Sequence, residues 1–111
     1  MSALWAITPE KIEEAVQKIV QFEQPRRIIL FGSAARGTTN INSDVDFLVV
    51  TRNEVPSPRK ESVRIRQALR GISMPMDILV ISENRLQQVA DQPGLVYREA
   101  LRHGKILYEA V

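Results

Sequence analysis

The sequence predicts an α/β domain: one small mixed β-sheet with helices packed on it. Three observations carry this. The continuously apolar run at residues 28–31 suits a strand buried on both faces, and 44–51 and 76–81, largely apolar apart from their aspartates, read as further strands. Segments with apolar residues at helical spacing alternate with those runs. Loop and turn residues, among them Pro25, Gly32, Pro56, Pro58 and Gly94, separate the two kinds of segment.

The elements follow in order. Thr8-Pro9-Glu10 reads as a helix start, because Thr8 can cap, Pro9 suits the first helical position and Glu10 complements the positive helix end. Ile12, Val16, Ile19, Val20 and Glu23 continue that helix to a stop before Pro25. The strand at 28–31 ends at Gly32, and a short helix at 33–36 is expected to open at the Gly-Ser turn and close at Gly37. A polar loop at 38–43 leads into the strand at 44–51. Pro56-Ser57-Pro58 then precedes a helix predicted over 59–70, with Ile65, Ala68, Leu69 and Ile72 on its stripe and Arg59, Arg66 and Arg70 along another face. After the strand at 76–81, Ser82-Glu83-Asn84 starts a helix that buries Leu86, Val89 and Ala90. A last helix at 95–103 stops at Gly104, and Ile106-Leu107-Tyr108 forms a short final strand.

Size and composition bound the rest. A chain of 111 residues is expected to be a single domain, 1–111, and 44% hydrophobic with 25% charged residues is ordinary for a folded protein. There is neither a membrane-length apolar run nor a signal-peptide pattern, so a cytoplasmic protein is expected. The absence of cysteine excludes disulfides and thiolate zinc sites, leaving oxygen atoms or the single histidine to hold any metal. Eleven of the fifteen basic residues are arginine, whose planar fork suits phosphate and carboxylate, although the net charge is only +2.

The chemistry concentrates in residues 27–50. Strand alternation places Asp44 and Asp46 on one face, where two close carboxylates repel unless a cation lies between them. Magnesium prefers such oxygen ligands completed by water and phosphates. Asp77 stands in an otherwise apolar strand, and it completes a three-carboxylate site if that strand lies beside the second. Gly32 lets backbone approach a ligand, Ser33 offers a hydroxyl, and Arg36 falls on the same helical face to clamp a phosphate oxygen. The plain alternative for each part is an ordinary turn with exposed charges.

Gly32-Ser33, ten intervening residues, Asp44-Val45-Asp46 and the later Asp77 together resemble the DNA polymerase β-like nucleotidyltransferase superfamily. The small size resembles its minimal nucleotidyltransferase (MNT) branch. The resemblance implies the nucleotidyltransferase fold, with Asp44, Asp46 and Asp77 as catalytic metal ligands for two Mg2+ ions and with Asp77 helping to activate the attacking hydroxyl. Gly32, Ser33 and Arg36 match the family motif Gly-Ser-x-x-Arg-Gly and are implied to bind the nucleotide, with ATP as substrate. Two metals about 3.5 to 4 Å apart would suit in-line displacement at phosphorus.

The branch resemblance also implies a partner, a helical HEPN-family ribonuclease toxin, with this chain as antitoxin that transfers AMP to a toxin tyrosine. Two other functions compete: a non-catalytic module that neutralises its partner by occlusion, and a nucleotidyltransferase acting on RNA ends or a small molecule. His103 reads as a helix-end residue, Tyr97 and Tyr108 as packing residues, and the Arg59, Lys60, Arg64, Arg66 and Arg70 cluster as a solvated face. No aromatic platform for single-stranded nucleic acid is evident, so direct nucleic-acid binding is not expected, and homo-oligomerisation stays open.

Overall fold

A computed structural model describes residues 7–32, 35, 44–93 and 95–110. Helix α1 (Pro9–Glu23) begins where the Lys11 amide donates to Thr8 Oγ1 at 3.2 Å, and it ends at Gln24, whose φ is 49°. Strands β1 (Arg27–Phe31) and β2 (Val45–Thr51) follow. Helix α2 (Pro58–Ala68) is capped by Ser57, and strand β3 (Met76–Ser82) ends at Ser82, which caps helix α3 (Glu83–Val89). Helix α4 (Val96–His103) and strand β4 (Lys105–Glu109) complete the described chain.

The described strands form one mixed sheet in the order β3-β2-β1-β4. β1 is antiparallel to both β2 and β4, whereas β2 and β3 are parallel. A parallel neighbour cannot be reached through a tight turn, and α2 supplies the crossover. Ile28 pairs with Tyr108 and Ile29 with Ile106, so a bulge absorbs Leu107.

Both faces of the sheet are covered, as continuous apolar runs require. On one face Ile28, Leu30, Val45, Phe47, Val49, Ile78 and Val80 pack with Ala15 and Ile19 of α1 and Ile65 of α2. On the other, Ile29, Phe31, Leu48, Val50 and Ile81 pack with Leu86 and Val89 of α3 and Ala100 of α4. Removing each of these valine, leucine, isoleucine and phenylalanine side chains from water contributes about 1.5 to 3 kcal/mol, so β1 and β2, apolar on both faces, are the spine of the fold.

The fold class matches the sequence expectation, with small shifts at element ends. Asp44 lies one residue before β2, and β1 begins one residue earlier than expected, at Arg27. Helix α2 stops at Ala68 instead of Arg70, because the chain turns there toward Gly71 at φ 103°, although Ile72 is still buried. Trp5, the 33–36 helix and the 38–43 loop lie outside the described residues, apart from Ala35, which packs against the α1 and α2 face.

Candidate active site

Register brings the acidic residues together. Phe31, the last residue of β1, pairs with Asp46, and Asp46 stands opposite Asp77 across the parallel β2 and β3. Asp46 shares the face of Leu48 and Val50, and Asp77 shares that of Leu79 and Ile81. Asp46 is partly buried, while Asp77 and Asp44 are exposed. The exposure of Asp77 corrects the expectation of a carboxylate enclosed within a buried strand: apolar packing on this face gathers at Leu48, Val50 and Ile81, farther along the strands.

Gly32 completes the arrangement. It turns the chain at φ 74°, and a Cβ on it would run into Asp46 Oδ2. Glycine is therefore required twice here, for the left-handed backbone and for the close approach of the turn to the carboxylate. The Asp46 carboxyl is held above the usual carboxylate range, first by burial, then by the negative charges of Asp77 and Asp44. Asp46 thus feels the charge of both other acids.

Among the described residues no group of three His, Asp or Glu side chains is gathered tightly enough to hold a metal as it stands. Magnesium does not demand three, since one or two carboxylates with waters and substrate phosphates are its common set. Asp46 and Asp77, aligned on one face and repelling each other, fit that donor chemistry. Ser33 and Arg36, the remaining expected nucleotide ligands, lie outside the described residues.

Other expectations resolve simply. Tyr97 and Tyr108 are partly buried against the two cores, and His103 is exposed in the last turn of α4. A cavity of about 440 Å³ is lined by Asp44, Arg66, Arg70, Met74 and Met76 among others, so it opens beside Asp44, while Asp46 and Asp77 are not in its lining. A larger one of about 580 Å³ along α4 has none of the three aspartates in its lining.

Two arrangements escaped the sequence reading. The Arg66 guanidinium, expected to be solvated, donates to Met76 O at 2.7 Å. Glu23 at the end of α1 is hydrogen-bonded to Glu61 of α2, and burial followed by that bond and the Glu61 charge raises its carboxyl to about 8, against the pull of Arg64. Only the tertiary meeting of distant segments creates either arrangement, although the four-residue spacing of Ser62 and Arg66 puts both on one side of a helix.

Fold and site define a class: an α/β domain that sets acidic residues beside a glycine turn at one end of its sheet. The chain belongs to the nucleotidyltransferase domain family, whose model matches residues 9–110, and it is therefore a transferase by family. Its fold is similar to that of a nucleotidyltransferase candidate from Sulfolobus solfataricus, at TM-score 0.62 and 19% identity over 90% of this chain and 78% of the other. It is also similar to a toxin-antitoxin structure with AMP-PNP, at TM-score 0.57 and 22% identity over 88% of this chain and 73% of the other. No curated protein sequence matches the chain. Among the described residues no helix is long and apolar enough to cross a membrane.

Proposed function

We propose that this chain transfers AMP from ATP to a hydroxyl of a partner protein, a tyrosine of a HEPN-family toxin, and thereby acts as its antitoxin. The observation that carries the reading is the register of Asp46 with Asp77, which pairs two carboxylates across the strands and sets one of them, Asp46, against a glycine turn that admits no side chain. Two further facts support it: family membership, and similarity to a toxin-antitoxin structure containing an ATP analogue.

In this reading Asp44, Asp46 and Asp77 hold Mg2+, and Gly32, Ser33 and Arg36 hold the triphosphate. Magnesium, when bound, would neutralise phosphate charge and favour the attacking oxygen as an anion. The chain's own part is positioning. Asp77 orients the acceptor side of the site, and the Gly32 turn keeps the phosphates against Asp46. The acceptor oxygen forms a bond to the α-phosphorus as the bond from that phosphorus to the bridging oxygen breaks. Pyrophosphate leaves, and the hydroxyl proton passes to solvent.

The test incubates the chain with isotopically labelled ATP, Mg2+ and the product of the neighbouring gene, and then weighs that product. The expected result is a gain of AMP mass on a tyrosine, abolished by Asp46→Asn while the two proteins still bind. Neutralisation of the partner at unchanged mass would replace transfer by occlusion. Modification of RNA ends or a small molecule, with the protein untouched, would replace the acceptor.

A further inference from the structure

Strand β3 is an edge of the described sheet, and an edge strand leaves alternate backbone groups without a ladder partner. Pro75 O accepts from the Val45 amide at 2.9 Å, so this carbonyl faces β2. Backbone alternation then turns Asp77 O toward β2 and sends Met76 O and Ile78 O to the outer edge. These two outward carbonyls flank Asp77 on either side.

Both are taken by side chains of α2. Ser62 Oγ donates to Ile78 O at 2.6 Å, and Arg66 donates through its guanidinium to Met76 O at 2.7 Å. Ser62 and Arg66 are four residues apart, so one helix face delivers both bonds. The second has a cationic donor, and the first is the more buried of the two.

We propose that Ser62 and Arg66 form a clip that fixes the backbone on both sides of Asp77 and so holds its carboxylate opposite Asp46. Neither residue touches the reacting atoms; both are positioning residues. The inference rests on the reading of Asp77 as a metal ligand, but the clip itself is a property of the backbone that can be measured without any nucleotide. Ordinary docking of α2 needs no such pair, because Ile65, with Leu69 at the helix's C-terminal cap, already packs it against the sheet.

The experiment compares wild type with Ser62→Ala, Arg66→Met and the double variant, using Arg70→Met as a control that removes one positive charge from the lining of the same cavity. Amide hydrogen exchange is followed along β3 in the metal-free chain, and the Mg2+ concentration for half-maximal AMP transfer is measured in parallel. The clip predicts faster exchange at residues 76–79 in Arg66→Met, most of all in the double variant, with α1 and β1 unchanged. It also predicts a Mg2+ requirement raised about tenfold, the usual scale for groups that orient a metal ligand. The KM for ATP stays within about twofold in the same variants, and Arg66→Lys, which keeps a donor, recovers part of the loss.

Exchange in β3 indistinguishable from wild type in the double variant would overturn the clip. So would an equal rise in the Mg2+ requirement in Arg70→Met, because the effect would then not depend on the bond to Met76 O. If wild type and Asp77→Asn transfer equally or not at all, the catalytic reading fails, and the exchange result alone decides the clip.

Discussion

Replacing Gly32 by alanine should injure the site and the fold by separable amounts. Two costs act at once: alanine is strained at φ 74°, by about 1 to 2 kcal/mol, and its Cβ would meet Asp46 Oδ2. Gly71 isolates the first cost. It sits at φ 103° with nothing within 4 Å of the added atom, so Gly71→Ala carries backbone strain alone. A loss of 1 kcal/mol lowers Tm by about 4 to 8 °C in domains of around 100 residues, so Gly71→Ala should melt roughly 4 to 16 °C below wild type. Gly32→Ala adds about 1 kcal/mol for turning Asp46 off its rotamer. Thermal melts with and without Mg2+ separate the effects, since ligand that binds only the folded chain raises Tm. Gly71→Ala should keep the full Mg2+-induced rise, and Gly32→Ala should lose most of it. Equal melting of the two variants, with the Mg2+ rise intact in both, would refute the argument that the Gly32 turn rests against a metal-binding carboxylate.

Three more outcomes follow from the geometry. Asp77→Asn removes a negative charge facing Asp46, so the metal-free chain should melt about 2 °C higher while AMP transfer falls to background, as calorimetry and a transfer assay would record. Glu23, raised to about 8 from 4.5, binds its proton more tightly in the folded chain than in the unfolded one. Its contribution is therefore present below about pH 4.5 and lost as pH rises toward 8, and Glu23→Gln should flatten the decline of Tm across that window. Gly104→Ala places a methyl group against Ala100 O and 2.8 Å from Leu30 O, backbone atoms that cannot swing aside. The cost should be about 1 to 3 kcal/mol in denaturant titration, with α4 displaced from β1.

The elements were legible because local chemistry marks them. Thr8 and Ser82 cap the helices they precede, Pro56-Ser57-Pro58 marks the loop before α2, and the apolar residues of β1, β2 and β3 are buried by covering both faces. The meeting of Asp46 with Asp77 was legible only as a condition, because strand order is a property of the whole sheet. The crossover through α2 fulfils it. Asp77 was expected to be costly in its strand, yet it is exposed, because sequence shows the apolar run but not where the overlying helices end. Arg66 and Glu23 carried no usable signal, since surface-type residues on amphipathic helices acquire partners only when two distant segments meet.

The apolar character of β3 has a consequence for how the site is assembled. Ile78 and Val80 face one core and Leu79 and Ile81 face the other, so sliding β3 by one position against β2 would still bury greasy side chains on both sides. Water repulsion is nearly blind to that error. It would, however, turn Asp77 to the opposite surface of the sheet, away from Asp46. What the slip would cost is polar: it would carry the Asp77 carboxylate to the face that α2 covers, so the burial penalty of one charged group selects the pairing that sets Asp77 opposite Asp46.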